Sequence, residues 1–376
     1  MYGSGYGPLS HGDGDKAIED ILGLKRAAEE YVNAGANNKV WFKLIASEKD
    51  PLSAFEEVGR GHAHLDIDVT EFGDYHRVDV VRKIKRKDIS GGERTVEGGF
   101  AFFRSRENEH IWIAMTGDDP DFFERGMIYL FNQMDPDVYS FYLSPMDIQQ
   151  ILQGIEESLD ARVIVKRSIT YNYHGEAKES HETHPFRHVF AEINEEENYV
   201  DKLEFRVEPR GDRDNGFEGF LTRDGRLKYI NGNVSPFFDG LVSLIERRAE
   251  DRRRLFDESI DSARGGNFEQ MHIKFDEPVF QGGIKNHSLI NALSKMTKTS
   301  ITVYHSNPYL HMSMMDYRDG SAFDIFVTEN DRVNIVLGHR GTSSSLMRVA
   351  EHISSHFKQG EICPGSSNDY GFDDFF

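Results

Sequence analysis

Three stretches of the chain, about a hundred residues apart, repeat one pattern, and that repetition constrains the fold more than any single motif. Phe100-Ala-Phe-Phe103, Phe217-Glu-Gly-Phe220 and Phe323-Asp-Ile-Phe326 each begin a strand-like Phe-x-x-Phe run. A polar turn, an alternating apolar strand, a short loop and an amphipathic helix pattern follow each of them. The spacing predicts a triplicated chain whose recurring rings serve packing rather than reaction chemistry.

At 376 residues the chain exceeds what one core comfortably accommodates. The expected class is α+β: three similar modules, each an antiparallel sheet of about four to five strands with an opening and a closing helix on one face. The expected boundaries are a disordered N-terminus over 1–14, module 1 over 15–140, module 2 over 141–256, module 3 over 257–359, and an acidic aromatic tail over 360–376.

Cap chemistry sets the helix boundaries. Asp119-Pro120 pairs a side-chain acceptor with a residue that has no N–H to leave unpaired in the first turn, and Ser144-Pro145 does the same for module 2. Ser235-Pro236 reads as a repeat of the device, and Thr342 or Ser343 serves module 3. Strands are expected at 40–45, 64–69, 75–84, 99–104 and 110–115 in the first module. In the second they fall at 162–173, 188–193, 199–207, 216–221 and 226–230, and in the third at 270–275, 300–305, 310–317, 322–327 and 332–337. Polar turns such as Arg223-Asp224-Gly225 join neighbours as antiparallel hairpins. A sheet with helices on one face leaves the other for solvent, a neighbouring module or a ligand. The arrangement resembles, as a fold, the two-helix curved-sheet modules of the TATA-binding-protein or helix-grip type.

No run of some eighteen apolar residues occurs, and Met1-Tyr-Gly-Ser-Gly-Tyr-Gly7 lacks the pattern of a signal peptide, so a cytoplasmic location without membrane contact is expected. The single cysteine, Cys363, supplies neither an intramolecular disulfide nor a cysteine metal site. A formal charge of -20 repels polyanions at long range. Two basic runs oppose that field. Arg82, Lys83, Lys85, Arg86 and Lys87 end a strand with few neighbouring acids and are the candidate nucleic-acid contact. Arg247, Arg248 and Arg252 to Arg254 alternate with Glu246, Glu250 and Asp251, the pattern of a solvated helix face.

Candidate chemistry is sparse. His174, His181, His184 and His188 offer enough nitrogen donors for a divalent metal, and with it a hydrolase. Their segment lacks periodicity and reads as a long hairpin loop ending at a strand near His188, so no cofactor is the primary expectation. His352 and His356 stand one helical turn apart without the glutamate of H-E-x-x-H. The run from His305 to Ser313 has serine where a phosphodiesterase of the phospholipase D type needs lysine. Paired carboxylates such as Asp66 with Asp68, or Glu204 with Glu208, lack a lysine in register. No catalytic residue is assigned.

The chain closes on an acidic segment spaced by rings: Tyr370, Phe372, Asp373, Asp374, Phe375 and Phe376. Phe rings fill pockets while carboxylates meet a basic rim, and the segment resembles in kind the acidic tails by which single-stranded-DNA-binding proteins recruit partners. The expectation is a non-enzymatic binding or assembly protein whose tail docks a protein partner. Nucleic-acid binding through the run from Arg82 is second, and a metal-dependent hydrolase third.

Overall fold

The structure, a computed structural model, describes residues 20–47, 49–85, 92–172, 175–196, 198–211, 216–264, 270–338 and 340–364. Eight helices and two antiparallel sheets make up the described residues. The helices are α1 (Ile21–Ala34), α2 (Pro51–Gly61), α3 (120–133), α4 (Pro145–Ser158), α5 (Phe186–Glu195), α6 (234–264), α7 (Ile284–Leu293) and α8 (Ser343–His356).

The first sheet has twelve strands. They are β1 (Val40–Ser47), β2 (Leu65–Phe72), β3 (Tyr75–Lys85), β4 (Glu93–Arg104), β5 (Ile111–Thr116), β6 (Val138–Tyr139), β7 (Ala161–Tyr171), β8 (Ala177–Ser180), β9 (His184–Pro185), β10 (Tyr199–Pro209), β11 (Phe217–Thr222) and β12 (Arg226–Gly232). Their order is β2-β3-β4-β5-β1-β12-β11-β10-β7-β8, with β6 on β1 and β9 on β7. The second sheet comprises β13 (Gln270–Lys274), β14 (Thr299–His305), β15 (Leu310–Asp316), β16 (Ala322–Val327), β17 (Arg332–Leu337) and β18 (Glu361–Pro364), in the order β14-β15-β16-β17-β13-β18.

Three separate sheets do not form, because the first two expected modules share one. β1 and β12 pair antiparallel, Val40 facing Tyr229 and Lys43 facing Arg226. The reason is legible in β1 itself: Val-Trp-Phe-Lys-Leu-Ile-Ala-Ser does not alternate, and all but Trp41 is buried. Such a strand needs cover on both faces and partners on both edges, and β5 and β12 supply the edges.

Strand order also separates the units. The first and third follow one plan, a strand and helix (β1-α2, β13-α7) followed by a four-strand meander whose last member returns beside that first strand. In the second, β7 lies beside β10, the start of a three-strand meander. What recurs in all three is the end: a Phe-x-x-Phe strand, its hairpin partner and a helix, as β4-β5-α3, β11-β12-α6 and β16-β17-α8. A full triplication is therefore not what the strand order describes.

Several local expectations change. Residues 188–193 are helix, not strand, because Phe186, Val189, Phe190 and Ile193 follow the i, i+3, i+4, i+7 rule and bury that face. Helix α2 was unforeseen, although Asp50 caps it and Pro51 opens it. Asn233, not Ser235, caps α6, accepting from the Ser235 amide at 2.9 Å. Ser144 with Asp147 forms a full capping box, and Thr342 caps α8. Glu361–Pro364, expected within the tail, instead pairs as a strand with β13. Residues 1–14 and the aromatic tail from Tyr370 onward lie outside the described residues.

Helices change faces at the β1–β12 seam. On one side Phe55 and Val58 of α2 and Phe122, Leu130 and Phe131 of α3 pack against Phe100 and Phe102. On the other, α1, α4, α5 and α6 join Phe103, Phe217, Leu227 and Tyr229 in a core continuous with that of the second sheet. Helix α3 therefore stands beside the uncovered face of strands β7 to β12. Two of the arginines of α6 are not solvated, since Arg252 bonds Asp147 of α4 at 2.7 Å and Arg253 is paired with Glu250 and Asp257, while Arg247 and Arg254 stay exposed as expected. No helix among the described residues is long and apolar enough to cross a membrane.

Candidate binding groove

The uncovered face of the central sheet carries a groove of about 590 Å3 where all three units meet. Its floor is β1, β12, β11, β10 and β7, one wall is α3, and an end is closed by α8, through Glu351 and Ser355. Period-two alternation decides which residues face it: Leu227 and Tyr229 of β12 point to the core, so Arg226 and Lys228 point to the groove.

Helix α3 shapes the wall through a π-helical segment, Phe123–Ile128. There Phe123 stacks on Trp41 with ring centroids 4.8 Å apart, and the adjacent Glu124 receives two hydrogen bonds from Arg226, both 2.6 Å. Gly126 permits this course, since a Cβ would lie 2.6 Å from the Phe122 ring.

The closed end is built on the β11–β12 turn. Gly225 takes φ +73° there, a conformation that disfavours side chains. The turn presents the Asp224 carbonyl to the Lys43 ammonium, which is only 1% exposed, while the Asp224 carboxylate lies 3.9 Å from it. Burial lowers the Lys43 pKa, with Asp224 opposing the shift. Burial would raise the Asp224 carboxyl, but Lys43, Arg226 and the Thr222 hydroxyl outweigh it and hold it at about 2.

Beside this paired cluster stand Arg223 and Lys228. Arg223 is 6% exposed; it donates to the Tyr142 hydroxyl at 2.6 Å and to Ser355 Oγ at 2.7 Å, and its guanidinium lies over Tyr199 at 4.4 Å. Its Nε is buried with no partner among the described residues. Lys228 stands over the rings of Trp41 (4.9 Å) and Phe220 (5.0 Å) and bonds no described residue. Burial lowers its pKa. The lining carries five cationic side chains against four acidic ones, with Lys43 behind them, so the groove is locally positive in a strongly acidic chain.

The residues singled out by sequence lie elsewhere. Arg82 folds onto α3, its guanidinium 3.2 Å from the Tyr129 ring centroid and its Nη1 donating to the Arg125 carbonyl at 2.6 Å. Lys83 and Lys85 are exposed on β3, and Arg86 and Lys87 lie outside the described residues. His181, His184 and His188 sit beside Glu179, Glu182 and Glu192 at 3.0, 3.1 and 3.2 Å respectively, and His174 lies outside the described residues. Among the described residues no group of three or more His, Cys, Asp or Glu side chains is placed to hold a metal ion. His352 bonds the Ala292 carbonyl at 2.7 Å, and burial pulls its pKa down to about 4. Ser313 bonds Asp324 rather than His311, so those three make no nucleophilic relay.

Sequence reasoning missed Lys43, Arg223, Lys228 and Phe220. Two signals pointed to them: a lone lysine inside an otherwise apolar strand, and the odd spacing of Phe-x-x-Phe, which puts its two rings on opposite faces. Phe103 is buried on both accounts, whereas Phe220 enters the groove and Phe326 the open face of the second sheet.

The fold and groove define a mixed α+β protein with a cation- and ring-lined cleft on an open sheet face. No protein-family model matches the chain, and no curated protein matches it either.

Proposed function

We propose that the protein is a non-enzymatic binding or assembly protein whose central groove receives an acidic, ring-bearing segment of a protein partner. The observation that carries this reading is the Lys228 ammonium, half-buried between two rings and in no ion pair, beside the buried Arg223 Nε in the same cleft. Burial disfavours the charge on Lys228, and an incoming carboxylate offsets that through a charge-assisted hydrogen bond. The surrounding rings of Trp41, Tyr171, Tyr199 and Phe220 suit aromatic side chains.

The groove's own acids favour a peptide over a nucleic acid. Asp201, Asp224, Glu124 and Glu351 would repel a continuous run of phosphates, while a segment with isolated carboxylates reaches Lys228 between them. Residues 365–376 carry this chemistry, which makes the tail both a docking element for a partner and a natural probe of the groove.

The test is fluorescence anisotropy with a labelled peptide of residues 365–376, titrated with full-length protein and with a chain ending at Pro364. Saturable binding that Lys228→Ala weakens is expected. Binding only of single-stranded oligonucleotide, steeply salt-dependent, would replace this reading with the nucleic-acid one.

A further inference from the structure

The first sheet offers two seats of one design, one filled and one open. Strand β1 stands between β5 and β12, antiparallel to both, and each of those strands closes a hairpin and leads into a helix with a π-helical segment. The two segments, Phe123–Ile128 of α3 and Phe237–Val242 of α6, lie on opposite faces of the sheet. Successive residues of β1 meet them. Trp41 stacks on Phe123 at 4.8 Å, and Phe42 meets Phe238 edge-on at 5.3 Å on the other face. An acid follows each ring, Glu124 in α3 and Asp239 in α6. A two-fold rotation about β1, in the plane of the sheet, relates the two arrangements and exchanges the faces.

On the α6 side the seat holds α1. Leu24, Ala28 and Val32 bury one stripe of that helix, and Lys25 bonds Asp239 at 2.8 Å while standing 4.7 Å over the Phe238 ring. The Tyr31 hydroxyl donates to the Gly117 carbonyl, just past β5, at 3.1 Å. On the α3 side no helix among the described residues takes the matching place. Phe103 of the filled side is 3% exposed, whereas Phe220, the corresponding ring of its own Phe-x-x-Phe strand, stays partly exposed in the groove. The charges differ as well. Glu124 is met by Arg226 from the floor, where Asp239 takes the lysine of α1, and Lys228 is left over its two rings in no ion pair among the described residues.

We propose, on the reading that the groove receives a protein partner, that the partner's segment docks as an amphipathic helix, in the seat that α1 fills on the opposite face. The space suits one: five strands at about 4.8 Å spacing make a floor about 19 Å wide, α3 stands at one edge of it, and helices pack about 8–10 Å apart. The charge suits an acidic one, because Arg226 already supplies the cation that α1 brings to Asp239. A helix also brings several rings and carboxylates to Lys228 and its neighbours at once, since residues i, i+3 and i+4 share a side. In an extended segment adjacent residues point apart.

The test is single substitution in the labelled 365–376 peptide, read by anisotropy against the full-length chain. On a helix Asp369, Phe372, Asp373 and Phe376 form one face, with Tyr370 and Asp374 behind it. Phe372→Ala and Asp373→Asn, neighbours in sequence, are each expected to weaken binding about tenfold, while Tyr370→Ala and Asp374→Asn change it by less than about twofold. An alternating pattern, in which Phe372→Ala and Asp374→Asn weaken binding and Asp373→Asn does not, means an extended segment and overturns the helix while the groove reading stands. Equal losses at Asp373 and Asp374 overturn it too, as attraction without a defined face. No saturable binding of the unsubstituted peptide removes the groove reading itself, and the docked helix with it.

Discussion

The two open sheet faces started from the same sequence device and ended with opposite chemistry. Phe220 and Phe326 are each the outward ring of a Phe-x-x-Phe strand. Phe220 lies under an ammonium in a cleft dense with ion pairs, whereas Phe326 stacks on His311 on a face with an exposed apolar edge. The difference comes from what surrounds each sheet. The central face is walled by α3 and α8, so charges there lose water and must find partners; the second face stays wet and carries no such obligation. Enclosure turns a packing ring into part of a charged site.

The sharpest way to break this contrast is to remove one carboxylate from each face. Asp224→Asn leaves the buried Lys43 with only a backbone acceptor, and a loss of about 2–4 kcal/mol is expected, below the full cost of orphaning a buried charge because the Asp224 carbonyl remains. Asp324→Asn on the exposed face should cost under about 1 kcal/mol. Denaturant melts of both variants decide it, and equal losses would show that enclosure is not the cause.

A smaller effect appears against pH. Burial raises the Glu246 carboxyl of α6 to about 7, so the folded chain holds a proton that the unfolded chain gives up; stability is then lost as pH rises from near 4.5 through 7. Glu246→Gln should stabilise by on the order of 1–3 kcal/mol at pH 8 and by nothing near pH 4. His352 runs the other way. Its buried ring stays neutral to about 4, so its contribution is full above the ordinary histidine pKa near 6.5 and is lost as pH falls from there through 4. Thermal melts from pH 4 to 8 on Glu246→Gln and His352→Gln would separate the two slopes.

The smallest change in stability should carry the clearest change in binding. Lys228→Ala removes a side chain that makes no ion pair at contact distance, so stability should move by less than about 1 kcal/mol, while affinity for the acidic peptide falls roughly tenfold. Tyr304→Ala on the second face should leave that affinity untouched.

How much of this was legible in the sequence depends on the range of the signal. Local signals were read well: Asp119, Ser144 and Thr342 cap helices, and the hairpin at Arg223-Asp224-Gly225 forms. Helix α5 was missed because 188–193 reads as a strand that follows a loop carrying His181 and His184, although Phe186, Val189, Phe190 and Ile193 already held the helical period. The merging of two modules into one sheet depends on β1 pairing with β12, a contact almost two hundred residues apart that no local pattern encodes. The groove follows from that contact: Lys43 reaches Asp224 only across the seam, and Glu351 arrives from the third unit.

Hydrogen–deuterium exchange, with and without the acidic peptide, tests the groove most directly. Protection of 217–232, covering β11, the Asp224 turn and β12, with 299–317 unchanged, is the predicted result. Protection confined to 299–317, or none in either segment at saturating peptide, would contradict it.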